Sequence, residues 1–258
     1  MIDRRPRRLG VTLLEMIVVV ATIAVLLGLL MPSLAGIVAA GRSTQCSANL
    51  RQLAIAAQSY SAVYDVFPVA LRYEYRDEQF VQVAWDWVTT MDGQLIDTGP
   101  LWSFTANPGK VQQCPEYDGS ANFAGDPFTG YNYNTSYVGG EAFFPNTSWD
   151  AVHWGVKPHA SDRSSQAAMF GDGAYASGAN KFMRAPLGHE GLGMYTIYAG
   201  GQAFRHRRST NVAYVDGHVG SVVQPKKGLN ATDDLLEQVM GYPDNGFLSD
   251  DDSAYNPR

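Results

Sequence analysis

From Met16 to Gly41 the chain has 26 consecutive positions without a charged residue. Wound as an α-helix at about 1.5 Å per residue, this window is roughly 39 Å long, more than the ~30 Å hydrocarbon core of a bilayer. Pro32 lies inside it. Its missing N–H, and a ring that crowds the carbonyl of Gly28, predict a kink there. After Arg42 the pattern turns amphipathic. Cys46, Leu50, Leu53, Ala57, Tyr60 and Tyr64 recur at helical steps, with Arg51, Gln52, Gln58 and Ser59 off the stripe. Such a stripe is a packing face, so the helix continues from a membrane-spanning part into the side of a globular domain. Phe67-Pro68 ends it, because the proline pushes Phe67 out of the helical region.

Beyond the helix the periodicity shortens. Aromatic residues alternate with polar ones from Val69 to about Asn107, which predicts short strands or covered loops. Val111-Gln112-Gln113-Cys114-Pro115 reads as a strand stopped by proline, and Gly, Asn and Asp dominate from Tyr117 to Asn146. Gln166–Phe170 reads as a buried strand entering the turn Gly171-Asp172-Gly173. The clearest element is Asn211–Val215, then Asp216-Gly217, then His218–Val222. Asp-Gly between two alternating runs is the mark of a β-hairpin with a type I′ turn. Thr232–Met240 reads as a short helix capped by Thr232, and the acidic tail from Asp250 to Arg258 as frayed. The fold class is therefore α+β: a long N-terminal helix packed on an antiparallel sheet with long aromatic and glycine-rich loops.

Charge sets the orientation of the first segment. Arg4, Arg5, Arg7 and Arg8 precede the apolar run and only Arg42 follows closely, so the positive-inside bias puts the N-terminus in the cytoplasm and the rest outside. Glu15, a carboxylate at the head of such a helix, is costly in a membrane and marks function. The formal net charge is −6, and removing residues 1–10, with four Arg and one Asp, makes it −9. That balance argues against nucleic-acid binding. Cys46 and Cys114 both fall outside the cytoplasm, where disulfides persist. The sequence leaves open a single bridge between them or two buried thiols.

Gly10, then Val11-Thr12-Leu13-Leu14-Glu15 and an uninterrupted apolar helix, resembles the N-terminal signal of type IV prepilins and type II secretion pseudopilins. An ordinary secretory signal has a shorter core and a different cleavage site. The resemblance implies cleavage after Gly10 by a prepilin peptidase, N-methylation of Val11, a role for Glu15 in assembly and a kink at Pro32. Val11 departs from the Phe or Met usual at that position. A second resemblance covers most of the remaining chain. His206, nine residues, then Asp216-Gly217 is similar to a signature near the C-terminus of a large group of prepilin-like proteins. Cys46 with Asn49-Leu50-Arg51-Gln52-Leu53, Gly99-Pro100-Leu101-Trp102, Cys114-Pro115, and Phe204-Arg205-His206 with Asn211-Val212-Ala213-Tyr214 are similar to its other motifs.

These readings divide the chain into a leader (1–10), a membrane and assembly helix (11–41), its amphipathic continuation (42–66) and a β-rich extracytoplasmic domain (67–258). The expected protein is not an enzyme: neither a Gly-x-Ser-x-Gly nor a His-Glu-x-x-His motif occurs. It is a pilin-like subunit, pseudopilin or minor pilin, held in the inner membrane by a single span with its globular domain periplasmic. Its partners would be other pilin-like subunits, the prepilin peptidase and inner-membrane components of a secretion or pilus machine. The alternative is a membrane-anchored module that binds glycan or protein through its aromatic loops. No cofactor is expected. His206, Asp216 and His218, with Asp172 or His189, offer metal-ligand chemistry, and Asp250, Asp251 and Asp252 offer oxygen ligands for Ca²⁺. The favoured reading makes His206 a structural hydrogen-bonding residue and gives Asp216 and Gly217 the turn. A hairpin in that register separates His206 from Asp216 by about 13 Å.

Overall fold

The computed structural model describes residues 10–105, 108–121, 125–142, 155–176, 178–187, 200–229 and 231–258. The chain divides into two compact units, Met1–Gly41 and Arg42–Arg258. Helix α1 (Leu13–Tyr64) contributes to both and stays helical through Pro32.

In the first unit the helix begins with a reciprocal cap. Thr12 N and Oγ1 donate to Glu15 Oε2 at 2.8 and 2.9 Å, and Glu15 N donates to Thr12 Oγ1 at 3.3 Å. This is the Thr-x-x-Glu capping box, which satisfies two of the orphan N–H groups of a first turn. Every large apolar side chain from Val11 to Val38 is exposed. The helix is long and apolar enough to cross a membrane.

In the second unit the same helix becomes a core element. Cys46, Leu50, Leu53 and Ala57 are fully buried. Farther along, Tyr60 and Tyr64 leave the buried face and pack on Phe104, their ring centroids 5.6 and 6.3 Å from it. Gln58, off the stripe, turns to the hairpin, where its Nε2 donates to Val215 O at 3.0 Å. The helix stops at Tyr64, before the Phe67-Pro68 boundary, because Asp65 adopts φ 58° and donates its N–H back to Ser61 O.

Twelve strands follow among the described residues: β1 (Leu71–Arg76), β2 (Gln79–Ala84), β3 (Trp87–Thr90), β4 (Leu95–Thr98), β5 (Tyr131–Asn134), β6 (Glu141–Ala142), β7 (Ala168–Asp172), β8 (Phe182–Met183), β9 (Gln202–Ala203), β10 (Thr210–Tyr214), β11 (Val219–Val222) and β12 (Asn245–Gly246). One sheet has the order β4-β3-β2-β1-β6, a second β11-β10-β7-β5-β8, and β12 pairs with β9. Pairing is antiparallel except for β1–β6 and β5–β8, which are parallel. The fold is α+β, as the pattern predicts.

The helix stripe, β5 and β7 enclose the main core. Phe170 lies at its centre, with the Tyr133 ring stacked on it at 4.7 Å and the Trp85 ring edge-on at 5.4 Å. A second cluster joins Met183, Val212, Leu236, Met240, Phe247 and Tyr255. It overturns the expectation of a frayed tail: Tyr255 is fully buried, and Asn134 Nδ2 donates to its carbonyl at 2.8 Å. Two local readings also change. Pro108–Gln112 is a short helix, α2, where a strand is expected, so Cys114 sits in the turn after it. The hairpin forms, but as a three-residue loop, Val215-Asp216-Gly217. Gly217 N donates to Tyr214 O, Tyr214 N donates to His218 O, and only Gly217 has positive φ, at 89°. A type I turn followed by a left-handed glycine matches strand twist as well as type I′ does.

Candidate functional site

The side chains with most chemistry meet in the core of the second unit. Cys46 comes from the helix stripe, Cys114 from the turn after α2, Asp172 from the end of β7 and His206 from the turn between β9 and β10. One ligand atom from each lies within 4.8 Å of every other, and all four residues are buried. Local structure explains each placement. Asn49, one turn after Cys46, donates to Gln113 O at 3.3 Å and to the Tyr131 hydroxyl at 3.2 Å, tying the helix to the Cys114 segment. Cys114 N donates to Thr129 O, and the adjacent Gly130 has φ 129°. A Cβ there would fall 2.4 Å from Cys114 Cβ, so only glycine lets the two segments pass this closely. His206 closes a tight turn in which it exchanges backbone hydrogen bonds with Ser209, with Arg207 and Arg208 at positive φ.

Asp172 is the hub. Its Oδ2 accepts from Asn211 N at 2.8 Å and Thr210 Oγ1 at 3.3 Å. Its Oδ1 faces the cluster, 3.0 Å from Cys46 Sγ and 3.3 Å from His206 Nε2. Cys114 Sγ is 3.8 Å from His206 Nε2. The other ring nitrogen, Nδ1, lies 3.0 Å from Glu116 Oε2, an ionic contact whose angle is too poor for a hydrogen bond. Burial disfavours a charged His206, but Asp172 and Cys114 outweigh it and push the imidazole up to about 10. Burial, with Cys114 and Asp172 beside it, raises the Cys46 thiol, whereas hydrogen bonds from Cys46 and His206 lower Cys114 against the effect of burial. The arrangement sets His206 between Asp172 and Cys114, with Cys46 against the same aspartate oxygen. The two cysteines meet, and both are free thiols with no bond between them.

The remaining candidates do not join this group. Asp216 Oδ1 accepts from His218, at 2.6 Å from Nδ1, and the His218 ring stacks on Tyr214 at 4.3 Å. That pair is half-exposed, whereas His206 is buried. A site shared by His206 and His218 is therefore not formed. His189 lies outside the described residues. Asp250, Asp251 and Asp252 turn to separate partners: Gly228 N, the Ser253 backbone, and Leu187 N with the Tyr137 hydroxyl. They do not converge on a calcium position. Gly10 and Val11 are exposed ahead of α1, and Glu15 serves its capping box.

A second buried polar group went unread in the sequence. Lys181 Nζ lies 2.9 Å from Asp86 Oδ1 and 2.8 Å from Asp126 Oδ2, and none of the three side chains is more than 2% exposed. Its signal is a lysine between Asn180 and Phe182 at the end of a glycine- and alanine-rich run.

Residues 39–92 match a family described as "Protein of unknown function (DUF1559)". The match spans the second half of α1 and strands β1 to β3, about a fifth of the chain. No curated protein and no solved structure is significantly similar to the chain.

Proposed function

We propose that the chain is a pilin-like structural subunit, a pseudopilin or minor pilin of a type II secretion or type IV pilus-like machine. One observation carries this reading. A single 52-residue helix bears an apolar segment exposed all round and then the buried stripe of a globular unit. An apolar surface of that extent is stable only in lipid or against copies of itself. In this reading the prepilin peptidase cuts after Gly10, Val11 becomes the methylated N-terminus, and the processed subunit waits in the inner membrane. Its N-terminus faces the cytoplasm and residues 42–258 lie in the periplasm. The buried Cys46–His206 group serves the fold and turns over no substrate. The partners are other pilin-like subunits, the peptidase and the inner-membrane platform of the machine.

Glu15 supplies the test. Its carboxylate is held by Thr12 in the isolated chain, and in a bundle of helices the new amino group of Val11 on a neighbour would be a charged partner for it in lipid. Glu15→Ala is expected to insert normally and to lose most cross-linked oligomer, while Glu15→Gln, which keeps the capping acceptor, inserts and still fails to assemble. N-terminal mass spectrometry of the membrane-extracted protein should start at Val11. A terminus at Met1, or oligomer at wild-type level in Glu15→Gln, refutes the reading. Retention on polysaccharide with no crosslink to other pilin-like chains would favour the anchored binding module instead.

A further inference from the structure

We infer that Cys46, Cys114, Asp172 and His206 form a structural zinc site that joins α1 to the turn after α2, to the end of β7 and to the turn between β9 and β10. The donor set is two thiols, an imidazole and a carboxylate, which suits Zn²⁺ and not the hard cations Ca²⁺ or Mg²⁺. The distances have the right scale. Zinc bonds of about 2.3 Å to sulfur and about 2.0–2.2 Å to nitrogen and oxygen give tetrahedron edges of roughly 3.3–3.8 Å. The structure has 3.3 Å between His206 Nε2 and Asp172 Oδ1 and 3.8 Å between Cys114 Sγ and His206 Nε2, both in that range; Cys46 Sγ, at 3.0 Å from Asp172 Oδ1, would move out by a few tenths of an ångström to join them, and all four ligand atoms lie within 4.8 Å of one another.

The surroundings match what a zinc centre requires beyond its ligands. His206 points Nε2 into the cluster while Nδ1 lies 3.0 Å from Glu116 Oε2, an ionic contact at the position where a carboxylate backs a metal-bound histidine. Asn211 N and Thr210 Oγ1 occupy Asp172 Oδ2 and leave Oδ1 for a metal. Four protein donors fill a tetrahedron, and all four residues are buried, so no position is left for substrate and the site is structural. The ligands are spread from position 46 to position 206, so the ion would staple four distant segments and its binding would count directly as folding free energy.

The protein should be purified at full length in detergent, without reductant or chelator, and its metal measured by mass spectrometry and its thiols counted after denaturation. One zinc and two thiols per chain are expected. Replacement with Co²⁺ should give the visible bands of a tetrahedral cobalt–thiolate centre, a readout that depends on no variant folding. Cys114→Ser and His206→Gln should lose the metal and His218→Gln should keep it. Glu116→Gln, a positioning change, should weaken zinc affinity about 10–100-fold. A native chain with a Cys46–Cys114 disulfide and no metal overturns the inference, as does zinc retained in full by His206→Gln or a cobalt spectrum without thiolate character.

Discussion

Lys181→Met keeps the aliphatic stem of a buried side chain and deletes the cation that Asp86 and Asp126 share. The two carboxylates are not equivalent. Asp86 accepts from Trp87 N at 2.8 Å and from Gln112 Nε2, so it keeps hydrogen bonds after the substitution. Asp126 has a second oxygen, Oδ1, without a partner among the described residues. Burial first, and Asp86 second, push it up to about 7 against the pull of Lys181. Removing one member of a buried ion pair costs about 3–5 kcal/mol, because the other is left uncompensated in a medium that solvates it poorly. The low end applies here, since Asp126 can be neutralised by a proton and Asp86 retains its donors. The expected loss near pH 7.5 is about 3 kcal/mol, or roughly 6–12 °C in melting temperature for a unit of this size.

The pH dependence gives the sharper test. A carboxyl whose folded value is raised favours the folded state below its unfolded value, and that contribution is lost as pH rises through the folded one. For Asp126 the window runs from about 4 to about 7, so the wild-type protein loses some stability across it, and Asp126→Asn should flatten that slope. In Lys181→Met Asp126 lacks the cation and protonation relieves it, so the defect should be smaller at pH 5 than at pH 7.5. Urea unfolding followed by tryptophan fluorescence reads this directly, because Trp85 Nε1 donates to Lys181 O at 3.1 Å. A defect of under 1 kcal/mol, or one of equal size at both pH values, would show that the aspartates are compensated elsewhere and refute the reasoning.

Two further substitutions test the second sheet. Gly217→Val forces a β-branched residue to φ 89° and places its Cβ 3.0 Å from Gln58 Nε2, which now donates to Val215 O. A loss of about 1–3 kcal/mol is expected in thermal melts, and Gly217→Asn, which tolerates this φ, should recover much of it. Asn134→Ala removes donors to Ala168 O and Tyr255 O and the acceptor for Tyr137 N. With two buried hydrogen bonds and one part-buried gone, a loss of about 2–3 kcal/mol is expected, with early release of the C-terminal segment in hydrogen exchange.

The elements that hydrophobic spacing could reveal were local ones. The stripe from Cys46 to Ala57 is buried where its period put it, and Asp216-Gly217 sits in a hairpin loop. The pattern failed where tertiary contacts decided: at Tyr60 and Tyr64, which pack on Phe104 outside the core, and at Val111-Gln112, which end a short helix despite their strand-like pattern. The tail looked solvated because it is acidic, yet each of its aspartates has a nearby donor and Tyr255 anchors it. The candidate site was half legible for the same reason. Cys46 and Cys114 advertise themselves by residue type. The central place of Asp172 depends on strand order, because β7 lies beside β10 with Gly171 opposite Val212 and so brings Asp172 next to Asn211. No local pattern encodes that neighbour.

Strand order also accounts for the nine residues between His206 and Asp216. Arg207, Arg208 and Ser209 make the turn, Thr210–Tyr214 are strand β10, and Val215 opens the hairpin loop. The spacing is thus the length of one buried strand with its two ends. At the near end His206 reaches back to Asp172 on the adjacent strand, and at the far end Gly217 reverses the chain. The two ends have separate tasks and no shared contact, yet the interval between them is rigid. Inserting one residue in β10 would turn Val212 away from its buried face, since successive strand residues alternate between faces. It would also shift Asn211 N off Asp172 Oδ2, releasing the carboxylate that orients the cluster. A motif with a histidine at one end and a glycine at the other is therefore a constraint on register, and only its histidine end belongs to the site.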